Sequence, residues 1–538
     1  MDTNKNKDSF LKGALILGVA GVIIKILGAF FRIPLANMIG SSGMGYYQAA
    51  YPVYTLFFTL ATAGFPTAVA KLVSEKVAIK DNRGAVKIFK VSRSILLMTG
   101  IIAFLILFFG SSVIVNDIMK NPNAYYSMKA IAPALLFVPV MSAYRGFFQG
   151  KRDMTKVALS QIVEQIVRVF LGLYLAYILY KASGAEYGAA GAISGATIGS
   201  AASLIFLILI YALGTKNRKR ESLEGAKFKE ESFSTILKNL LVVTIPITIG
   251  ACVMPLVNMM DTVIVVRRLQ AAGFTYMMAN SMLGQLTGMA MTIVNMPSVI
   301  TTALSMSLVP AIAASYALGN KAKARKDTKT AIKVTLMIVL PCAFGMAALA
   351  TPIMHLLYPR EPAGLGVILF TVAPCCIFLG LIQTTNGILQ GMGKPIVPVV
   401  SLIIGMMCKI IISYTLTGIH DINILGSGLG TVTAYLVAAS INIVYIMRKM
   451  NLKLSKMEFI IKPLITVITM YIMAKLSYGV VSNVLGNSLS TVVAICVGGL
   501  VYVLVVLGIG AISEDEIHAM PKGDKIYKIL KRTKLVRR

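Results

Sequence analysis

The chain has 538 residues, of which 57% are hydrophobic and only 14% are charged. Its mean hydropathy of +0.78 is far above that of a water-soluble domain and excludes an ordinary soluble enzyme. The formal net charge of +31 lies in a chain too apolar for intrinsic disorder. The six cysteines lie inside apolar stretches and have neither the spacing of a disulfide framework nor that of a zinc site.

Long apolar windows follow one another along the whole chain. A bilayer core about 30 Å thick needs roughly 20 apolar residues per helix, and barrel strands of about ten residues do not fit windows of this length. The first window is too long for a signal peptide and is followed by many others. We predict an all-α integral membrane protein with about fourteen spans. In chain order they cover 11–37, 47–74, 92–116, 127–149, 157–180, 188–213, 237–266, 283–314, 331–355, 365–390, 397–418, 426–447, 459–480 and 488–511.

Basic residues alternate sharply between the two sides of this array. They follow the even-numbered spans and return in the C-terminal tail, whereas the first connection, 38–46, holds none. The positive-inside rule therefore predicts a multi-pass protein of the cytoplasmic membrane with both termini in the cytoplasm. Nucleic acid is not expected as a partner, because no binding module accompanies the basic loops.

The two halves of the chain resemble each other. The segments Arg145–Gly150 and Asn386–Gly391 share a glycine, two apolar residues, a glutamine and a second glycine, 241 residues apart. The same offset relates the Ala-Pro step at 132–133 to that at 373–374, and a looser match relates 66–70 to 310–314. We predict two six-helix lobes related by duplication. The predicted parts are an N-terminal lobe at 1–213, a cytoplasmic linker at 214–236, a C-terminal lobe at 237–447, two further helices at 459–511 and a basic tail at 512–538.

Charged side chains at membrane depth are costly and normally face a cavity or one another. Cations outnumber anions among them, and this favours a cavity that receives an anion, with arginine gripping phosphate oxygens. Glu164 and Arg168 are four residues apart and can pair directly. The candidates for binding a diphosphate are Lys25, Arg32, Arg145, Arg168, Arg267 and Arg268, and those for charge balance or coupling are Gln161, Glu164 and Asp261.

Several of these residues also have a structural interpretation. The arginines at 145, 267 and 268 can mark the ends of spans, and Glu164 with Arg168 can lock two helices together. Lys409 and Lys475 are expected to extend their ammonium groups to a membrane interface. The hinge candidates Gly64, Pro66, Pro255 and Gly288 can equally serve close helix packing.

Signatures of enzymes are missing from the sequence. Its three histidines form no His-Glu pair at metal spacing, and neither Gly-Lys step has the preceding glycine of a phosphate-binding loop. We expect a transporter without a metal or other cofactor, driven downhill, by a gradient of H⁺ or Na⁺, or by the membrane potential.

The sequence resembles the multidrug/oligosaccharidyl-lipid/polysaccharide (MOP) exporter superfamily over residues 10–506. Within it, the chain looks most like the branch of stage V sporulation protein B and the MurJ-type lipid II flippases. No single motif suffices for this likeness. The motifs that carry it are Lys25–Gly28 with Arg32, Gly64–Lys71, Arg145–Gly150, Ser160–Arg168, Asp261 with Arg267–Leu269, Gly284–Met289 and Ser307–Ala311.

The resemblance implies two six-helix lobes around a central cavity, two extra helices that form a groove for a lipid tail, and alternating access. It implies a flippase that moves an undecaprenyl-diphosphate-linked glycan, with lipid II for peptidoglycan or spore cortex as the favoured cargo. We expect a monomer whose partners are membrane lipids and this glycan. Arg32 is the best match to the essential arginines of family cavities, but residues 38–46 lack the charged residues that some lipid II flippases carry there. The alternatives are a flippase for polysaccharide repeat units, a drug/cation antiporter of the same superfamily, and a scaffold that recruits cell-wall synthesis enzymes without transport.

Overall fold

The computed structural model describes residues 2–214 and 231–510. Most of the predicted linker and the whole basic tail therefore lie outside the described residues. The described part is almost entirely helical and contains no β-strand. Twelve of its helical segments are long and apolar enough to cross a membrane.

Two of these twelve segments each contain a pair of spans. The backbone turns at Gly40 (φ 67°) in the first and at Gly486 (φ 68°) in the last, a conformation that glycine adopts without steric cost. Dividing both segments at these glycines gives fourteen spans, which confirms the predicted number. The predicted loop at 38–46 is wrong, because the chain resumes its helix directly after Gly40.

The first six spans follow the predicted order, and span four is interrupted at its Ala-Pro step. Proline lacks the N–H that continues a helix, so a break at this position is expected. The helices are Asp2–Thr62, Phe65–Ala78, Asn82–Val113, Tyr125–Ile131, Ala134–Gly150, Met154–Ser183 and Ala185–Leu213.

Two of the later spans are also interrupted. Span eight contains a π-helical turn at Gly284–Ala290 and a break at residues 296–297, and span ten breaks at its own Ala-Pro step. The helices are Phe233–Ala271, Tyr276–Leu283, Met291–Asn295, Ser298–Ala317, Lys321–Ala348, Ala350–Leu357, Gly364–Val372, Cys375–Gly391, Ile396–Leu416, Ile424–Met450 and Lys462–Gly508.

Short polar side chains start the spans that follow basic loops. Asp81 accepts a hydrogen bond from the backbone N–H of Gly84 (2.8 Å), and Asn320 accepts one from that of Lys323 (3.0 Å). Asp153 and Ser232 cap spans five and seven in the same way. These caps satisfy N–H groups that the first turn of a helix leaves unpaired.

The chain divides by its internal packing into two compact units, Met1–Met289 and Ala290–Arg538. The first unit includes span seven and the beginning of span eight, which the sequence repeat assigns to the second lobe. The boundary between two packed units need not coincide with the boundary between two duplicated halves of the sequence. The predicted domain limits therefore stay a prediction.

The duplication is visible in how glycines pack within each unit. In the first unit, glycines of span four lie against the second half of span two, and in the second unit, glycines of span ten lie against span eight. The equivalent residues are 241 apart in one helix and 239 apart in the other. Pro66 therefore corresponds to Ser305, and the looser sequence match of Pro66 with Pro310 is wrong. The contacts are Gly146 on Pro66, Gly150 on Val73, Gly387 on Ser305 and Gly391 on Ile312.

The repeat also relates spans five and six to spans eleven and twelve. In each pair two glycines lie so close to the preceding span that a Cβ atom would come within 2.6 Å of it. These contacts place Lys409 at the position of Arg168 in the repeat. The four contacts are Gly191 on Leu175, Gly195 on Arg168, Gly426 on Leu416 and Gly430 on Lys409.

Candidate functional site: an arginine–tyrosine cluster

The arginine–tyrosine cluster comprises Tyr47, Tyr51, Arg145, Glu164 and Arg168 in the first unit. At its centre, the Arg168 guanidinium of span five donates a hydrogen bond from Nη2 to the hydroxyl of Tyr47 (3.0 Å). Its Cζ also lies 5.4 Å from the centre of the Tyr51 ring, within range of a cation–π interaction. Span two thus holds the guanidinium by one hydroxyl and one ring face.

The two tyrosines belong to an aromatic row along one face of span two. Their ring centroids follow at 6.0 Å from Tyr47 to Tyr51, 6.1 Å on to Tyr54 and 6.0 Å on to Phe58. The sequence analysis missed this row, although its spacing of three and four residues is visible in the sequence. The row stiffens the wall against which Arg168 lies.

Arg145 and Glu164 form the ion pair of the cluster. Nη2 of Arg145 lies 2.7 Å from Oε2 of Glu164, and its Nε donates to the hydroxyl of Ser160 (3.0 Å). A longer contact of 3.3 Å joins Nη2 to the hydroxyl of Ser203 in span six. The side chains are only 15% and 25% exposed. Arg145 is therefore the partner of Glu164, where the sequence spacing had indicated Arg168.

Span one lies beside this cluster. Arg32 is near enough to Tyr51 to act on it electrostatically, and the ring of the adjacent Phe31 lies 6.3 Å from that of Tyr47. Gly28, one turn before Arg32, lies against the amide of Gln165. The structure thus brings Arg32 to the side of the cluster.

Two further candidates, Lys25 of span one and Gln161 of span five, lie on the same helices as Arg32 and the cluster residues but farther along them. Lys25 is exposed, almost two turns before Arg32, and Gln161 is partly buried, one turn before Gln165. Three arginines and one carboxylate make the centre of the site positive. Such a site suits an anion, and guanidinium groups suit phosphate oxygens.

Arg267 has a different environment from the cluster. Its Nε donates to the backbone carbonyl of Ile118 (2.8 Å), and its Nη2 donates to that of Asp117 (2.7 Å). Gln270 donates to the carbonyl of Lys120 nearby (3.0 Å). These bonds join the end of span seven to the end of span three, which agrees with the structural interpretation of Arg267. In the same span, Asp261 is buried and Arg268 is partly buried.

The glycines among the hinge candidates lie in close contacts. A Cβ atom on Gly64 would enter the backbone of Thr244, and one on Gly288 would lie 2.8 Å from Cε of Met44. Pro66 begins the second half of span two, and Pro255 lies inside the helix of span seven. Close packing explains both glycines, and a hinge function stays a prediction.

The second repeat carries a network of neutral polar side chains at the equivalent place. Asn442 of span twelve donates to Asn386 (3.1 Å) and to Thr385 (3.1 Å), and accepts from Ser401 (2.8 Å). Asn386 and Ser401 are the repeat equivalents of Arg145 and Ser160. Lys409 is only 9% exposed, so the expectation that it reaches a membrane interface is wrong. In the part of the chain that the structure describes, no group of three or more acidic, histidine or cysteine side chains is placed to hold a metal.

We expect the ion pair of Arg145 with Glu164 to stabilise the fold only as a pair. Arg145→Met leaves a largely buried carboxylate without its cation and should destabilise the protein by about 2 kcal/mol. Thermal unfolding of the purified protein in detergent measures this as a lower apparent Tm. The double variant Arg145→Met/Glu164→Leu should recover at least half of the loss.

Lys475→Met is the matched control, since this lysine is an exposed cation within a span. It should leave the apparent Tm unchanged. Strictly additive losses in the double variant would show that the two side chains do not act as a pair.

Comparison with known proteins identifies the family. A family model described as "Polysaccharide biosynthesis protein" matches residues 10–316, more than half of the chain. The chain belongs to this family. A second model, MatE, matches residues 246–415 of this polysaccharide biosynthesis family member.

Curated relatives extend the similarity over nearly the whole chain. Stage V sporulation protein B of Bacillus subtilis (strain 168) is 26% identical over 96% of this chain and 98% of the relative. Lipid II flippase MurJ of the same organism is 29% identical over 91% of this chain and 94% of the relative. The predicted likeness to stage V sporulation protein B and to MurJ is confirmed.

Solved structures share the fold. A lipid II flippase MurJ in an inward closed conformation matches with a TM-score of 0.67 and 15% identity, covering 91% of this chain and 98% of that chain. An inward-facing multidrug resistance MATE family transporter of the MOP superfamily matches with a TM-score of 0.61 and 14% identity, covering 80% and 98%. The predicted fold is confirmed by these neighbours, whose names describe a flippase and a transporter.

Proposed function

We propose that this protein moves an undecaprenyl-diphosphate-linked glycan across the cytoplasmic membrane by alternating access, with lipid II as its cargo. The observation that carries the proposal is the positive arginine–tyrosine cluster, in which Arg168 is held between a hydroxyl and an aromatic face. A diphosphate needs this kind of site, because its charge must be compensated at membrane depth. The name of the MurJ relative supports the choice of lipid II.

The proposed orientation places both termini and the basic loops in the cytoplasm. In this orientation the diphosphate enters from the cytoplasmic leaflet, and Arg32 and Arg168 attract it. Glu164 neutralises Arg145 while the site is empty. The arrival of the diphosphate offers Arg145 a second anionic partner, and this couples occupancy to the packing of spans four and five.

The energy source is proposed to be the membrane potential or a gradient of H⁺ or Na⁺. A diphosphate is a multiply charged anion, and moving one elementary charge through 100 mV is worth about 2.3 kcal/mol. A cytoplasm that is electrically negative would therefore assist the outward movement of the headgroup.

A flippase for polysaccharide repeat units is the second candidate, and the description of the matching family favours it. The cargo of such a flippase differs in its sugars. A drug/cation antiporter would require an anionic cavity, and the excess of arginine opposes this. A scaffold for wall-synthesis enzymes would keep its activity when Arg32 is replaced.

The test is translocation in liposomes that contain the purified protein. Fluorescent lipid II and a capsule-type lipid-linked sugar are compared, with and without an imposed potential or ion gradient. We expect wild type to move lipid II alone, Arg32→Ala to abolish movement, and Glu164→Ala to reduce it.

Movement of the capsule-type lipid alone would replace lipid II by a polysaccharide unit as the cargo. Failure of both lipids under every gradient would refute the flippase and favour the drug-export or scaffold function. Undiminished movement by Arg32→Ala would refute its place in the site.

A further inference from the structure

A polar pocket lies in the second unit, at the ends of the spans opposite to the basic loops. It has a volume of about 400 Å³ and lies between the short helix Ala350–Leu357, the connection to span ten and the bend at Gly486. This volume is within the range of about 300–1,000 Å³ that is typical of small-molecule sites. Its polar lining residues are Thr351, His355, Tyr358, Glu361, Tyr478 and Asn487.

The walls of this pocket are held by hydrogen bonds across the bend. The Tyr478 hydroxyl donates to Oδ1 of Asn487 (2.9 Å), and Nδ2 of Asn487 donates to the carbonyl of Pro352 (3.3 Å). The positive φ of Gly486 brings these two side chains together from opposite sides of the bend. Tyr358 is only 2% exposed and forms a fixed wall. The pocket is therefore preformed, and a ligand does not have to order it.

The chemistry of the lining selects the class of ligand. Two phenol rings provide apolar faces, while a carboxylate, an imidazole, an amide and a hydroxyl provide both donors and acceptors of hydrogen bonds. A phosphate site would need a cluster of cations, and no lysine or arginine is among the lining residues. Sugar rings present the complementary mixture of hydroxyl groups and apolar C–H faces.

We propose that this pocket binds a sugar ring of the transported glycan on the outer side of the membrane. The proposal rests on the proposed function and on its orientation, which places the pocket outside. Glu361 accepts hydrogen bonds from the sugar hydroxyls, His355 donates or accepts one, and Tyr478 covers a ring face. A sugar held here would favour the outward position of the headgroup after it has crossed the membrane.

The test uses a soluble disaccharide of N-acetylglucosamine, which has neither lipid nor diphosphate. Its binding to the full-length protein in nanodiscs is measured by saturation-transfer NMR. We expect saturable millimolar binding to wild type, weakened about tenfold or more by Glu361→Gln and by His355→Ala. Loss of one such hydrogen bond costs about 1.4 kcal/mol, which is a tenfold change in Kd.

The chain provides matched control positions at another connection on the same side. His420 and Asp421 are exposed between spans eleven and twelve. His420→Ala and Asp421→Asn should leave binding of the disaccharide unchanged. Equal weakening by these controls, or no weakening by the pocket variants, would overturn the proposal.

Two further arms separate this proposal from the proposed function. If wild type translocates lipid-linked glycan but binds no disaccharide at millimolar concentration, the pocket proposal fails alone. If wild type binds the disaccharide at this pocket but translocates neither lipid, the flippase proposal fails and the pocket is a site for free glycan. Binding of a wall peptide in place of the disaccharide would overturn the choice of a sugar.

Discussion

Arg168→Lys is expected to lower the rate of lipid II translocation about 100-fold, although the positive charge remains. Lysine cannot donate to Tyr47 and stack on Tyr51 at the same time, because its ammonium is a compact point charge without a planar face. Arg168 makes both contacts, at 3.0 Å to the hydroxyl and 5.4 Å to the ring centre. A charge-assisted hydrogen bond and a desolvated cation–π contact together are worth about 3 kcal/mol, and this corresponds to the expected change in rate. The liposome assay described above measures it.

Two variants show whether translocation depends on the contacts of Arg168 with Tyr47 and Tyr51 or only on its positive charge. Tyr51→Phe keeps the ring face and removes a hydroxyl, so its loss should be smaller than that of Arg168→Lys. Arg448→Lys makes the same substitution at an exposed position next to the basic loop of span twelve and should have no effect. Full activity of Arg168→Lys would mean that the site recognises charge alone.

The repeat explains why one half of the molecule carries this cluster. Arg168 has its equivalent in Lys409, but Glu164 corresponds to Gly405, and Tyr51 of span two corresponds to Ala290. The second repeat therefore retains the cation while it lacks both the acid and the aromatic ring. After duplication, the two halves kept the same glycine contacts between helices and diverged in the side chains of the site.

The sequence was sufficient for the number and order of the spans, because hydropathy and helix length are local properties. It also predicted the duplication, since glycine contacts between helices leave a recognisable spacing. The alignment of span two with span eight in the repeat could not be predicted from the sequence and follows from the packing of the helices. Both Pro66 and Pro310 begin similar small-residue segments, although the packing pairs Pro66 with Ser305.

Only part of the candidate site could be predicted from the sequence. Arg32, Arg145, Glu164 and Arg168 stood out as charges at membrane depth, but their pairing depends on contacts between distant parts of the chain. Spacing alone favours Glu164 with Arg168, whereas Arg145 reaches Glu164 from another helix at 2.7 Å. The aromatic row containing Tyr47 gives only a weak signal in the sequence, because tyrosine at helical spacing is common in packed cores.

In the double variant Ser41→Cys/Ser281→Cys, oxidation to a disulfide is expected to stop translocation, and a reductant should restore it. The two serine hydroxyls lie 2.7 Å apart, so a short adjustment brings two sulfur atoms at these positions into bonding distance. They lie where the beginning of span two meets the beginning of span eight, on the side opposite to the basic loops. Under the proposed alternating access, these spans must separate when the proposed outer side opens.

Spans two and eight pack so closely here that their contact is expected to be either fully formed or fully broken. A Cβ atom on Gly45 would lie 2.5 Å from Nδ2 of Asn280, and that amide donates to the carbonyl of Ser42 (2.8 Å). Asn121 of the connection between spans three and four donates to Oδ1 of the same asparagine (2.7 Å). Asn280 therefore joins three segments, and they must part together because interfaces packed this closely do not deform gradually.

The single variants Ser41→Cys and Ser281→Cys are the matched controls, and each should translocate at the wild-type rate with or without oxidant. They also account for the six native cysteines, which stay in all three proteins. Arrest that appears only in the oxidised double variant and is reversed by reductant identifies this contact as the outer closure. Undiminished translocation by the cross-linked protein would mean that spans two and eight stay together throughout the cycle, and the exit would then have to lie between other spans.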